Sequence, residues 1–216
     1  GLESAWVQSI ADSRSAAHAI IARARVAEPG LAAVLAANSQ HRLYRGVRDM
    51  ASPLTIGTPE FSAGFHVIAD TGALLEVLVP YAKYDDVCAL ADARPEAQIV
   101  LGHAGLAEHS DDDYFQAWSR KLNVFATRPN VTVKISALAS GRDPQWTVTS
   151  IRPWVQRCIE VFGPERAMFG TNWPIDRLFG TYERLVDAYR ECSGDLTPPE
   201  RDALFVGTAT RIYEIE

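Results

Sequence analysis

A chain of 216 residues with 47% hydrophobic side chains is long enough to bury a sizeable core, and its 27 acids against 21 bases leave a net charge of −6. That balance offers no basic stripe for a phosphate backbone, no apolar run approaches the ~18 residues of a bilayer span, and the N-terminus lacks a charged-then-apolar leader pattern. Nucleic acid and membrane are therefore excluded as partners, and a cytoplasmic protein is expected. Cys88, Cys158 and Cys192 have no Cys-x-x-Cys spacing and read as reduced core thiols.

Short apolar runs alternate with helical patterns, the order of parallel β/α units. The first strand is expected near Ala5-Trp6-Val7-Gln8, followed by Ala-rich helical sequence over residues 16–27 and a second helical piece over 31–37. A strand follows at residues 43–48. Thr58-Pro59-Glu60 then opens a helix, with Thr as cap and Pro in the first turn. Residues 74–79 read as a strand, 85–93 as a helix, 98–101 as a strand and 113–127 as a helix. Val131 to Ile135 is the next strand. Val148, Ile151, Val155, Cys158 and Phe162 then step by three and four along one helical face. A last strand is predicted at 167–171, a helix carrying Tyr182, Leu185, Val186 and Tyr189, and a short helix behind the capping box Thr197-Pro198-Pro199-Glu200. Residues 50–58 and 137–147, with Pro53, Gly57, Gly141 and Pro144, read as long loops after strands, where β/α barrels gather their functional groups. No linker divides the chain, so residues 1–216 are expected to form one domain.

His103 stands just past an apolar strand, between Gly102 and Gly105, where an imidazole can transfer protons or bind a metal; a hydrogen-bonded strand-end histidine is the alternative. Asn172 and Asp176 flank Trp173-Pro174, so the amide can orient a carbonyl or water and the carboxylate can accept a proton, unless both merely satisfy a turn and a helix cap. Arg45 and Arg48 lie on opposite faces of one strand, and Arg48, nearer its exit, suits a carboxylate or a developing oxyanion. Lys134 and Glu76 each interrupt an apolar strand. A buried charge there must be paired or functional, and an internal Glu76–Lys134 pair is one solution. Asp111-Asp112-Asp113 fits a helix N-terminus better than a metal cluster. His18, His41, His66 and His109 form no His-x-His or His-Glu-x-x-His spacing.

Arg45-Gly46-Val47-Arg48, residues 99–105 and 130–136, the block 162–176 containing Gly170-Thr171-Asn172-Trp173-Pro174-Ile175-Asp176, and residues 205–213 resemble, in order, the amidohydrolase-2 family of TIM-barrel hydrolases, and in particular its lactonase-like branch. The resemblance implies an α/β fold, a distorted (β/α)8 barrel with about six recognisable strands, hydrolysing lactones or related cyclic esters of small sugar or organic acids. Some relatives use a divalent metal such as zinc or manganese. By this resemblance His103 matches a strand-end histidine and is a candidate metal ligand. Asn172 matches a last-strand position that is often Asp, Asp176 an acid common where Asn stands there, and Arg48 the second arginine of Arg-Gly-x-Arg. The expected roles are thus His103, Asp176 and Asn172 in catalysis and Arg48, Trp173 and Lys134 in substrate binding.

The family's first-strand His-x-His has no counterpart here, and a strand expected between Gln8 and Leu43 is not evident in the Ala-rich interval. Open barrel edges are then expected, with a homo-oligomer as one way to cover them. A catalytically inactive binding or self-associating chain and a metal-dependent decarboxylase are the alternatives.

Overall fold

The computed structural model describes residues 2–14, 17–139 and 143–215. Six strands, β1 (Ile20–Arg23), β2 (Tyr44–Asp49), β3 (Leu74–Val77), β4 (Ile99–Leu101), β5 (Val131–Ile135) and β6 (Ala167–Phe169), form one parallel sheet in chain order. Among the described residues the sheet is not closed: β1 and β6 each pair on one side only.

The two faces of the sheet do different work, because side chains alternate along a strand. Val47, Leu75, Val77, Ile99, Leu101, Val131, Val133 and Ile135 face the helices and share the main core with Phe61, Phe65, Trp118, Phe125, Val155 and Cys158. On the opposite, concave face Leu74, Val100 and Met168 pack on Ile212 and Tyr213. Register then sets Arg23, Arg48, Glu76, Val100 and Thr132 in one row across β1 to β5, with Lys134 paired to Met168 a step further along.

The helices follow their local signals. Thr58 accepts from the Phe61 N–H at the start of Pro59–Asp70, and Asp111 accepts from the Tyr114 N–H at the start of Asp112–Ala126, the helix-terminus role expected of the acidic triplet. Thr147 and Ser150 close a capping box on Val148–Phe162, and Thr197 and Glu200 another on Pro198–Asp202. The last helix, Thr208–Tyr213, continues from Pro198–Asp202 through a π-helical turn, Ala203–Gly207. Residues 52–55 of the expected first loop form a short helix. All three cysteines are free and buried.

Two expectations fail at the N-terminus. Residues 5–8 belong to a helix, Leu2–Arg14, not a strand. Its buried or packed residues, Ser4, Val7 and Ala11, step by three and four, a helical period that outweighs the short apolar run. The interval 16–27 contains β1, the strand that seemed absent, instead of a helix. Ile20 and Ile21 supply β-branched stiffness, while Ala22 and Ala24 are small because helices pack directly over them. Ala16, at the start of that expected helix, and Gly141 of the expected 137–147 loop lie outside the described residues. No described helix is long and apolar enough to cross a membrane.

Gly64 lets the helix Pro59–Asp70 lie against the chain leaving β1: a Cβ there would sit 1.9 Å from the Val26 carbonyl oxygen. Gly64→Ala is expected to cost roughly 1–3 kcal/mol in denaturant unfolding, as overpacking does. Gly30→Ala, with nothing within 4 Å, should cost no more than a few tenths. Equal stability of the two variants would show that this close approach does not constrain the fold.

Candidate active site

Glu76 is fully buried on the concave face of β3 and is shared by three donors. Arg48 on β2 reaches one carboxylate oxygen with Nε at 2.8 Å and with a second guanidinium nitrogen. Lys134 on β5 reaches the other oxygen at 2.5 Å, and the Tyr213 hydroxyl donates to that same oxygen. The Lys134 ammonium also stands 5.0 Å from the centre of the Tyr213 ring. Burial alone would raise the Glu76 pKa, but the charges of Lys134 and Arg48 and the hydrogen bonds from Lys134 and Tyr213 outweigh it and hold the carboxyl at about 2. Burial pulls the Lys134 pKa down, partly offset by Glu76, and pushes the Tyr213 phenol well up. The Glu76–Lys134 pair is therefore an internal ion pair, extended by Arg48.

His103 stands at the exit of β4 in an unusual backbone. His103, Ala104, Gly105 and Leu106 take φ of 54°, 50°, 69° and 48°, a left-handed turn that costs an L-residue roughly 1–2 kcal/mol each. Aromatic donors fix its carbonyls, Trp118 and Tyr84 buried and Tyr114 partly so. The Trp118 indole N–H donates to Ala104 O at 2.9 Å, the Tyr84 hydroxyl to Gly105 O at 3.0 Å, and the Tyr114 hydroxyl to Leu106 O at 3.0 Å. The turn aims the imidazole at β5, where His103 Nδ1 lies 2.9 Å from the Ser136 hydroxyl. Burial, followed by the like charges of Arg48 and Lys134, lowers the His103 pKa to about 4, against an opposing pull from Glu76. The imidazole is neutral at physiological pH.

The exits of β5 and β6 carry further left-handed residues, Ala137 at φ 57° and Asn172 at 52°. Non-glycine left-handed residues thus stand at three consecutive strand exits on one end of the sheet, the end where barrel folds gather their functional groups. Gly170, just past β6, touches the same patch: a Cβ there would lie 3.1–3.2 Å from the side chains of Lys134 and Ser136. Two residues on, Asn172 Nδ2 donates to Asp176 Oδ1 at 2.8 Å, with Asp176 buried. The Trp173–Pro174 peptide is cis. Trp173 is 41% exposed and meets Tyr182 edge to face, with ring centres 5.6 Å apart.

The structure thus brings Arg48, Glu76, Lys134 and His103 into one patch, with Asn172, Trp173 and Asp176 on the exit beside it. Arg45 faces the other way, and its guanidinium donates to the Tyr213 and Glu214 carbonyls at the end of the last helix. Sequence reasoning did not single out Ser136 or Tyr213. Ser136 was legible, since Thr132, Lys134 and Ser136 alternate with apolar Val131, Val133 and Ile135. Tyr213 is 137 residues from its partner and carries no comparable signal. A cavity of about 660 Å³, lined by Tyr44, Arg45, Leu74, Gln98 and Arg211 among others, lies at the N-terminal ends of the strands, and none of the expected site residues lines it.

The side chains present do not fit a divalent metal. Among the described residues no three His, Cys, Asp or Glu side chains come together to hold one. His103 has Nδ1 committed to Ser136 and two cations as neighbours, and the nearby carboxylate of Glu76 is already occupied by Arg48, Lys134 and Tyr213.

A family model described as Amidohydrolase matches residues 5–215. The chain belongs to the amidohydrolase family. An uncharacterized protein, y4mH, of Sinorhizobium fredii is 32% identical over 99% of this chain and 75% of its own length. An L-fucono-1,5-lactonase of Burkholderia multivorans is 31% identical over 72% of this chain and 56% of its own length. Among solved structures, a Burkholderia multivorans amidohydrolase with bound zinc superposes with a TM-score of 0.87 at 25% identity, over 99% of this chain and 79% of that one. The chain therefore spans little more than half of that curated lactonase. The amidohydrolase fold here is the α/β barrel type of these relatives with an open sheet.

Replacing Glu76 by Gln leaves Arg48 and Lys134 without their counter-charge and is expected to destabilise the fold by roughly 3–5 kcal/mol. The sign with pH follows from the depressed folded-state value. The Glu76 contribution is complete above the ordinary 4.5 and is lost as pH falls toward about 2. Urea unfolding across that range should show the wild type losing its advantage over Glu76→Gln; a constant gap would reject the assignment.

Proposed function

We propose that the chain hydrolyses a lactone or related cyclic ester of a small organic or sugar acid by adding water to the carbonyl. The observation that carries this reading is a neutral histidine, held by Ser136 on a strained turn, beside the cationic groups of Arg48 and Lys134. With Ser136 Oγ accepting from Nδ1–H, His103 Nε2 presents its lone pair to a water molecule. Nε2 takes a proton as the water oxygen attacks the carbonyl carbon, and the carbonyl electrons move onto oxygen. The positive charge of Arg48, reinforced by Lys134, stabilises that oxyanion. Collapse of the tetrahedral species breaks the ring C–O bond, and the departing oxygen takes the proton from the imidazolium, giving a hydroxy acid and the starting enzyme.

Asn172 would orient the lactone through its amide, with Asp176 holding that amide in place, and Trp173 would wall the ring. Asp176, a candidate proton acceptor by sequence, is buried behind this amide, which favours His103 as the base. The lactonase relatives support the substrate class. A second reading, a binding or self-associating chain, is favoured by the open sheet, whose β1 and β6 edges lack a second partner strand. Light scattering that shows concentration-dependent association, from folded protein without turnover, would support it.

Hydrolysis of a lactone panel, followed with a pH indicator, tests the enzyme reading. His103→Ala should lower kcat by about 10²–10⁴-fold, the usual worth of a general base. Because the base must be unprotonated, kcat/KM should be flat at neutral pH and fall only as pH drops through about 4. A falling limb near 6.5 would place His103 in ordinary solvent and sink the proposed environment. With His103 Nδ1 held by Ser136 and the Glu76 carboxylate engaged by Arg48, Lys134 and Tyr213, activity through His103 Nε2 is expected to survive chelation with EDTA; loss on chelation with recovery on added zinc or manganese would overturn that account.

A further inference from the structure

Four consecutive residues, His103 to Leu106, hold positive φ, and a chain of L-residues keeps such a geometry only where its surroundings over-determine it. Here the surroundings are side-chain donors. The helix Tyr84–Ala93 begins with the Tyr84 hydroxyl 3.0 Å from Gly105 O. The helix Asp112–Ala126 brings the Trp118 indole nitrogen to 2.9 Å from Ala104 O and the Tyr114 hydroxyl to 3.0 Å from Leu106 O. A buried indole or phenol needs some acceptor, so one such bond would be ordinary. Three on successive carbonyls of the strained segment that carries the proposed base form a support for that segment.

The fit is closest at Tyr84 and Trp118, both fully buried. The Tyr84 hydroxyl fills the space beside Gly105, where a Cβ would stand 1.6 Å from it, so glycine admits the donor as well as taking φ of 69°. Burial pushes the Tyr84 phenol well above its ordinary pKa, so it stays a donor throughout the pH range of an assay. Ala104, whose carbonyl Trp118 holds, directly follows His103 and has no exposure of its own. Both donors are anchored in the helix-facing core. The Tyr84 ring stacks on Phe125 with centres 5.1 Å apart, and the Trp118 ring meets Trp154 at 4.8 Å and Phe115 at 5.6 Å.

We propose that Tyr84 and Trp118 are positioning residues: by holding the Gly105 and Ala104 carbonyls they keep the turn in the geometry that sets His103 Nδ1 on Ser136 and leaves Nε2 free to accept a proton. Which ring nitrogen carries the proton follows from the hydrogen bond that the ring makes. If the turn relaxes, Nδ1 loses Ser136 and the proton distributes over both nitrogens. The kinetic consequence rests on the lactone reading; the tautomer does not.

The test is Tyr84→Phe, which removes a single oxygen, with Trp118→Phe as a second variant and Phe162→Leu as control. Phe162 belongs to the same core, its ring centre 6.5 Å from that of Phe125, and has no hydrogen bond to give. Imidazole nitrogen NMR shifts at neutral pH should show wild-type His103 held in the Nδ1–H form. Tyr84→Phe and Trp118→Phe should turn it into a mixture of the two forms, whereas Phe162→Leu should lower the melting temperature and leave the tautomer alone. In turnover, Tyr84→Phe should lower kcat about 10–100-fold with KM within about twofold, as a misplaced catalytic group does. An Nε2–H wild type, an unchanged tautomer in Tyr84→Phe, or the same mixture in Phe162→Leu would overturn the proposal. A tautomer that moves in Tyr84→Phe, with no lactone turned over by the wild type, would keep the positioning role and reject the lactonase reading. Wild-type turnover with tautomer and kcat unchanged in Tyr84→Phe would do the reverse.

Discussion

One buried carboxylate organises this molecule. Glu76 has no exposure, yet it remains ionised because Arg48 from β2, Lys134 from β5 and Tyr213 from the last helix all converge on its two oxygens. Burying an acid in a barrel interior is unfavourable unless geometry and charge compensate it. That compensation draws three strands and the C-terminal helix to one point. Its by-product is functional. Two cations share one anion, so the interior is left with a net positive field, and that field, together with burial, keeps His103 neutral.

Strain is distributed to suit that centre. Apart from Glu214 at the end of the last helix, the left-handed non-glycine residues among those described lie at the exits of β4, β5 and β6, and the turn at His103 is the longest run of them. Its cost is offset by hydrogen bonds from Trp118, Tyr84 and Tyr114, whose rings also belong to the helix-facing aromatic packing. The aromatic packing that stabilises the fold and the donors that fix the turn at His103 are thus the same side chains. Removing an aromatic donor would act on the site through backbone geometry and not through contact with a substrate.

Much of the architecture from residue 43 onward was legible, because continuous apolar strands such as Val131 to Ile135 alternate with helices, two of them opened by recognisable caps at Thr58 and Thr197. The N-terminal region was not. Alanine serves both as a helix former and as a small residue beneath close-packed helices, and at Ala22 and Ala24 packing decided. At the site, Arg48, His103 and Lys134 announced themselves as polar residues in apolar strands or at their ends. Their partners did not: Tyr213 meets Glu76 across 137 residues, and only tertiary structure can bring that pair together.

The same electrostatics bear on what limits turnover in a lactonase built on this face. Hydrolysis converts a neutral ester into a carboxylate, so the product carries one more negative charge than the substrate. A positive interior that stabilises the oxyanion in the transition state also favours that product. In the proposed reaction the oxyanion would form beside Arg48 and Lys134, and because Glu76 already engages both cations, the charge left over to retain the carboxylate product is limited.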